Sequence, residues 1–177
     1  MKNSMESRAA IYYKNKKYLQ AAECYSELIK NSIVGADVYL ALAACYYNLE
    51  EFEKAVITLN ELILLDGAKG FYVDYANAWK AMALMMLKKY DESYKTWKKL
   101  ETADEDLRDE NYYFCGASCC NELGLYEEAL EYINKSIFIK KQDSYNLILK
   151  GKILANMGKL KEAGKVFEKV CLITSPD

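Results

Sequence analysis

The sequence predicts an all-α fold, an array of antiparallel helix-turn-helix hairpins, on three observations. An aromatic or aliphatic anchor recurs at Tyr18, Phe52, Tyr90, Tyr126 and Leu160, at intervals of 34, 38, 36 and 34 residues; a period of this size marks stacked supersecondary units. Around each anchor the residue sizes repeat. Three residues on sits a small residue (Ala21, Ala55, Ser93, Ala129, Ala163), and four further a large one (Tyr25, Leu59, Trp97, Ile133, Phe167). Nine before the anchor sits another small residue (Ala9, Ala43, Ala81, Ala117, Gly151), and six before it an apolar one (Tyr12, Tyr46, Leu84, Cys120, Leu154). Spacings of three and four place residues on one helix face. Finally, 177 residues with 52% hydrophobic content, sixteen tyrosines and one proline suit a helical array with an ample core.

The size pattern has a physical cause. Small residues belong where the two helices of a hairpin approach closely, since a bulky side chain at Ala43 or Ala55 forces the backbones apart. Large residues fill the gap between one hairpin and the next, because a single hairpin cannot bury its apolar face alone.

The repeating word is clearest at Gly124-Leu125-Tyr126-Glu127-Glu128-Ala129, followed by Ile133 and Ser136. It resembles the tetratricopeptide repeat. Five copies, about 2–35, 36–69, 74–107, 110–143 and 144–177, cover nearly the whole chain as a single array. Two features depart from the family pattern: no repeat has tryptophan at its fourth position, and alanine replaces the usual glycine at the eighth in four of five. The resemblance implies a right-handed α-solenoid, a superhelix whose general trade is holding another polypeptide.

Taken in order, the first repeat is expected to open its first helix near Ser4 and run its second from about Tyr18 to Lys30, with Arg8 as a polar residue on the outer face of the stack. In the second, Asp37 suits a helix amino terminus. Gly67 and Gly70 bracket a connection longer than the norm, which costs little in closure entropy; Phe71 and Tyr72 are read as a surface insertion or as flanks of a binding groove. The third repeat diverges most, with Trp79 and Lys80 where small and apolar residues are expected, and its acid-rich tail, 101–110, is assigned to the start of the next helix. The fifth ends with Phe167, Val170 and Ile173 expected to face outward. That bare face implies either a fragment of something longer, the preferred reading, or a homodimer through the carboxyl-terminal hairpin.

Composition removes several function classes. With 24 basic and 26 acidic residues, no basic stripe points to nucleic acid or an anionic membrane. The longest apolar run, about Val38 to Tyr47, is too short to insert into a membrane, and no signal peptide opens the sequence, so a cytoplasmic protein is expected. The chain has no histidine, which excludes Ser-His-Asp and Cys-His arrangements and the HExxH zinc site. The glycines form no phosphate loop. Glu50-Glu51 and Glu127-Glu128 read as solvated surface pairs. The cysteines, including Cys115, Cys119 and Cys120, read as small buried hydrophobes in a reducing compartment, and no metal or other cofactor is expected. The expectation is therefore a protein that is not an enzyme.

The resemblance places the functional surface on the inner groove, formed by set positions of each first helix. Carried over, these include Tyr13, Leu40, Ala44, Tyr47, Tyr75, Ala78, Met82, Met85, Phe114, Ser118, Asn121, Ile148 and Lys152, with Tyr47, Met82, Met85 and Phe114 as an apolar floor suited to varied ligands. The subclass that grips a terminal carboxylate uses lysine and asparagine where this chain has Glu6 and Ala10, so that ligand is not expected. The leading expectation is a scaffold that binds a peptide or amphipathic helix. Alternatives are the regulatory array of a larger enzyme such as a protein glycosyltransferase, and a secretion-chaperone-like protein.

Overall fold

A computed structural model of the chain describes residues 2–31, 34–65, 70–102 and 108–174. Among these the secondary structure is ten α-helices and one short 3-10 turn, so the fold is all-α as expected. The helices are α1 (Lys2–Lys14), α2 (Tyr18–Asn31), α3 (Ala36–Asn48), α4 (Phe52–Leu64), α5 (Phe71–Met86), α6 (Tyr90–Lys98, extended by the 3-10 turn Lys99–Thr102), α7 (Glu110–Glu122), α8 (Tyr126–Ile139), α9 (Ser144–Asn156) and α10 (Leu160–Thr174). None is long and apolar enough to cross a membrane.

The repeating anchors are the first residues of α2, α4, α6, α8 and α10. Two residues before each, the chain takes a left-handed conformation, at Lys16, Glu50, Lys88, Gly124 and Gly158. The following amide donates back across the turn: Lys17 N to Tyr12 O, Glu51 N to Tyr46 O and Lys89 N to Leu84 O at 2.9 Å, Leu125 N to Cys120 O at 2.8 Å, and Lys159 N to Leu154 O at 2.9 Å. This is the Schellman closure, which satisfies carbonyls the helix end leaves open. The five acceptors are the apolar residues six before each anchor, so one position both packs and closes the turn.

The chain divides into two compact units, residues 1–89 with α1 to α5 and residues 90–177 with α6 to α10. In the amino-terminal unit each helix packs on the next, and α3 also touches α5; in the carboxyl-terminal unit the same holds from α6 to α10, and α7 touches α9. Contacts between first helices two elements apart are what stacked hairpins produce. The small residues are buried where the sequence places them: Ala9, Ala21, Ala43, Ala55, Ala81, Ser93, Ala117, Ala129 and Ala163. At Gly151 a β-carbon would sit 2.5 Å from the Phe167 ring, and at Gly116 it would overlap the Trp97 indole. Of the large residues, Tyr25, Leu59, Trp97 and Ile133 are buried, while Phe167, on the last described helix, is 37% exposed.

Several sequence expectations are corrected. Val170 does not face outward: it is only 9% exposed, because it lies two turns after Ala163 on the inward face of α10, and the outer face carries Leu172 at 81% exposure instead. Ser4 lies inside α1, which begins at Lys2, and Phe71 and Tyr72 form the first turn of α5 rather than a loop. Glu50 and Glu51 belong to a turn and a helix cap, and Glu128 is half-buried in an ion-pair network. Five cysteines are buried but Cys171 is exposed. Gly67 and the Ser175-Pro176-Asp177 ending lie outside the described residues.

Candidate functional site

In the amino-terminal unit, four helices leave a cleft of about 330 Å³ between them. It is lined by Ala10 and Tyr13 of α1, Tyr25 of α2, Leu40, Ala41 and Ala44 of α3, and Tyr75 and Trp79 of α5. Helical spacing makes the lining: 10 and 13, 40 and 44, and 75 and 79 are each three or four apart and share a face. The alanines open the space, and the rings wall it. One turn beyond Ala44, Tyr47 meets Trp79 edge-on, with ring centroids 5.4 Å apart, and Phe52 at 5.3 Å; Tyr13 meets Tyr18 in the same way at 5.4 Å. Such edge-to-face pairs hold the walls in place.

Of the residues expected in a groove, Tyr13, Leu40, Ala44 and Tyr75 come together here, and Tyr47 buttresses the wall from behind Trp79. Ala78, Met82 and Met85 are half-buried on α5 outside the lining. Trp79 and Tyr25 belong to the cleft, although the repeat pattern makes the first a divergent residue and the second a core residue. The signal for Trp79 was its place four residues after Tyr75. Burial raises the Tyr25 phenol above its ordinary value, with further contributions from Cys45, Glu6, Tyr13 and Asp37.

The remaining expected residues lie in the carboxyl-terminal unit, so Phe114 belongs to a different unit from Tyr47, Met82 and Met85. Phe114 lines a smaller cleft of about 230 Å³ with Glu110, Asn111, Lys140, Asp143, Tyr145 and Asn146. There Asp143 caps α9 by accepting from the Asn146 amide at 3.1 Å, and Ser136 Oγ lies 3.1 Å from Asn146 Oδ1. Asn121 is buried, its Oδ1 accepting from Asn156 Nδ2 at 2.9 Å. Ser118 and Ile148 are half-buried and Lys152 is exposed.

Elsewhere in this unit the aromatic rings are tied to charge. Lys98 Nζ lies 2.8 Å from Glu101 Oε1 and 2.9 Å from Glu128 Oε1, over the rings of Tyr94, Trp97 and Tyr132. The Tyr132 hydroxyl sits 3.1 Å from both carboxylates, and Trp97 Nε1 donates to Tyr112 O at 3.0 Å. Hydrogen bonding to Lys98 lowers the Glu101 carboxyl despite partial burial. Burial works against ionised Glu128, yet bonds from Lys98 and Tyr94 hold it below its ordinary value. Burial likewise opposes charged Lys98, and its partners overcome that and raise it. These groups saturate one another and present no open chemistry. Among the described residues no cluster of three histidine, cysteine, aspartate or glutamate side chains is arranged to hold a metal.

The family model of the tetratricopeptide repeat matches residues 36–69 and 145–176. A tetratricopeptide repeat-containing protein of Methanocaldococcus jannaschii, MJ1428, is 25% identical over 154 residues, covering 86% of this chain and 26% of its own length. Another, YsoA of Bacillus subtilis, is 31% identical over 96 residues, covering 54% of this chain and 28% of its own. The chain thus spans about a quarter of the length of the curated relatives it matches. Among solved structures, MamA from Desulfovibrio magneticus RS-1 superposes with a TM-score of 0.85 at 13% identity, over 97% of this chain and 94% of that one. A further MamA crystal structure gives 0.78 at 16%, over 97% and 91%. These likenesses carry the fold. The chain is a tetratricopeptide-repeat protein.

Proposed function

We propose that this tetratricopeptide-repeat protein is an interaction scaffold whose recognition surface includes the aromatic cleft of its amino-terminal unit. The observation that carries the reading is the convergence of Tyr13, Leu40, Ala44, Tyr75 and Trp79 from three first helices on one concave, mostly apolar space. At about 330 Å³ it is at the small end of ligand sites. It accommodates the anchoring side chains of a segment whose remainder lies along the helices. Rigid tyrosine and tryptophan rings give large contact area with little ordering entropy, which favours such anchors.

The test compares proteins from the native host retained by the immobilised chain with those retained by a Tyr13→Ala/Tyr75→Glu variant that keeps its helical circular dichroism. A partner held by the parent and lost by the variant supports the cleft. Identical retention by both removes the cleft from the recognition surface. A second reading, an array serving as the recognition module of a larger protein, draws on the length of the two curated relatives. Pairing of two copies through the exposed face of α10 is a further proposal, tested by the Leu172 variant described below.

A further inference from the structure

Three of the six cysteines stand together in the carboxyl-terminal unit, away from the aromatic cleft and unused by the docking reading. Cys115, Cys119 and Cys120 lie on α7 and are buried. Cys115 and Cys119 are one helical turn apart on a shared face, and their thiols hydrogen-bond each other. From α6, the fully buried Ser93 sets its Oγ 3.1 Å from Cys119 Sγ. Every other repeat has alanine at the Ser93 position: Ala21, Ala55, Ala129 and Ala163. Cys45 occupies the Cys119 position of the second repeat, yet register gives it Ala21 in place of Ser93 and Ala41 in place of Cys115. The contrast separates two kinds of buried thiol. Burial alone pushes Cys45 up to about 12, and burial is the main reason Cys120 also stands at about 12. At Cys119 the bonds with Cys115 and Ser93 outweigh burial and hold the thiol below its ordinary value. A thiol sealed in apolar surroundings is inert, whereas one whose thiolate is stabilised is a nucleophile.

We propose that Cys115 and Cys119 form a redox-responsive pair that closes a disulfide within α7 when the chain meets hydrogen peroxide. The Cys119 thiolate attacks one peroxide oxygen, the O–O bond breaks, and the departing hydroxide takes up the thiol's proton as water. Cys119 is then a sulfenic acid. The Cys115 sulfur attacks it, the S–O bond breaks, and the hydroxyl leaves with the Cys115 proton as a second water. The two sulfurs together lose two electrons, and the peroxide gains them. Reduction by a dithiol restores both thiols. The bridge has a mechanical output. β-Carbons one turn apart stand about 5–6 Å from each other in a helix, and a disulfide holds them at about 3.8 Å. Closing it therefore distorts the turn of α7 between Cys115 and Cys119. Just beyond, Asn121 accepts a hydrogen bond from Asn156 of α9 at 2.9 Å, which carries the distortion to the next hairpin.

The test exposes the full chain to hydrogen peroxide, denatures it in excess alkylating reagent and follows the tryptic peptide 109–135, which carries all three thiols, by mass spectrometry. That peptide is expected to lose its two thiol hydrogens and keep one alkyl group, on Cys120, at least about tenfold sooner than Cys45 is oxidised. Cys120, on the same helix, controls for opening of the unit. Cys115→Ala should leave a sulfenic acid at Cys119 that dimedone traps, and Ser93→Ala should slow the reaction at least about threefold. Alanine at these places is what the repeat carries elsewhere, at Ala41 and Ala129, and circular dichroism checks that the fold is kept. The oxidised chain should melt at a lower temperature, and dithiothreitol should restore the parental midpoint. Oxidation of Cys115 and Cys119 no sooner than Cys45, or a bridge to Cys120, would overturn the pair. A parental rate in both alanine variants would show that these neighbours do not activate Cys119. An unmoved melting midpoint would overturn the mechanical output.

Discussion

The two tryptophans show how the same repeat spends an aromatic ring in two ways. Trp97, in α6 of the carboxyl-terminal unit, is 1% exposed, bonds its indole to a backbone carbonyl and presses on Gly116. Trp79, in α5 of the amino-terminal unit, is half-exposed, steadied by Tyr47 and open to a cleft. A ring on the second helix, at the large position four after the small one, fills the space between hairpins. One on a first helix, three or four residues from another aromatic, walls a cavity. Position within the repeat, more than residue type, separates aromatics buried in the core from those that line a cleft.

The sharpest way to break this contrast is to truncate both. Trp97→Ala should cost about 3–5 kcal/mol in urea unfolding, since it leaves a large hole in a packed core. Trp79→Ala should cost less than about 1.5 kcal/mol, because part of its area is already in water. Equal losses would erase the distinction.

On the last helix, Val170→Asp should cost about 2–4 kcal/mol by burying a carboxylate among apolar neighbours. Leu172→Asp, at the exposed face, should stay within about 0.5 kcal/mol. Sedimentation of the Leu172 variant is therefore the clean readout for self-association, whereas loss of mass with Val170→Asp would report unfolding.

A smaller effect is expected at the charge network. Lys98→Met should remove about 1–2 kcal/mol near neutral pH, a figure held down because the side chains are about a third exposed. Glu101 and Glu128 have folded values below their unfolded ones, so their stabilisation is present above the ordinary carboxylate range and lost as pH falls through the folded values. Lys98 is raised, so its share is full below the ordinary lysine value and lost only as pH climbs through the folded one. The gap between parent and variant should then narrow in acid and in strong base. A gap that stays constant between pH 3 and pH 7 would assign the loss to packing.

A gain in stability is expected in the turns. Glu50→Gly and Lys88→Gly replace side chains held at φ 60° and 59°, and each should raise stability by about 0.5–1 kcal/mol, read as a shift in urea midpoint.

The helices were legible because the repeat constrains sizes at fixed spacing: the five anchors became five helix starts, and the small residues became the buried seams. The turn residue two before each anchor was visible only where it was glycine; Lys16, Glu50 and Lys88 adopt the same conformation without advertising it. Val170 was misplaced because repeat register alone does not say which of several apolar residues on a terminal helix faces in. The cleft was half legible. Tyr13, Leu40 and Ala44 followed from first-helix positions, but Tyr25 comes from a second helix, and its dual role as filler and wall depends on the alanines opposite. Glu128 was hidden because its partner Lys98 lies thirty residues away.

The placement of the thiols gives the molecule a built-in clock. Cys24 and Cys45 are sealed in the amino-terminal unit, and Cys115, Cys119 and Cys120 in the other, while Cys171 faces solvent. An alkylating reagent should mark Cys171 at once and reach the remaining five only when their own unit opens. Mass spectrometry of the labelled peptides over time would then report the opening rate of each half of the native chain separately, with no tag and no substitution.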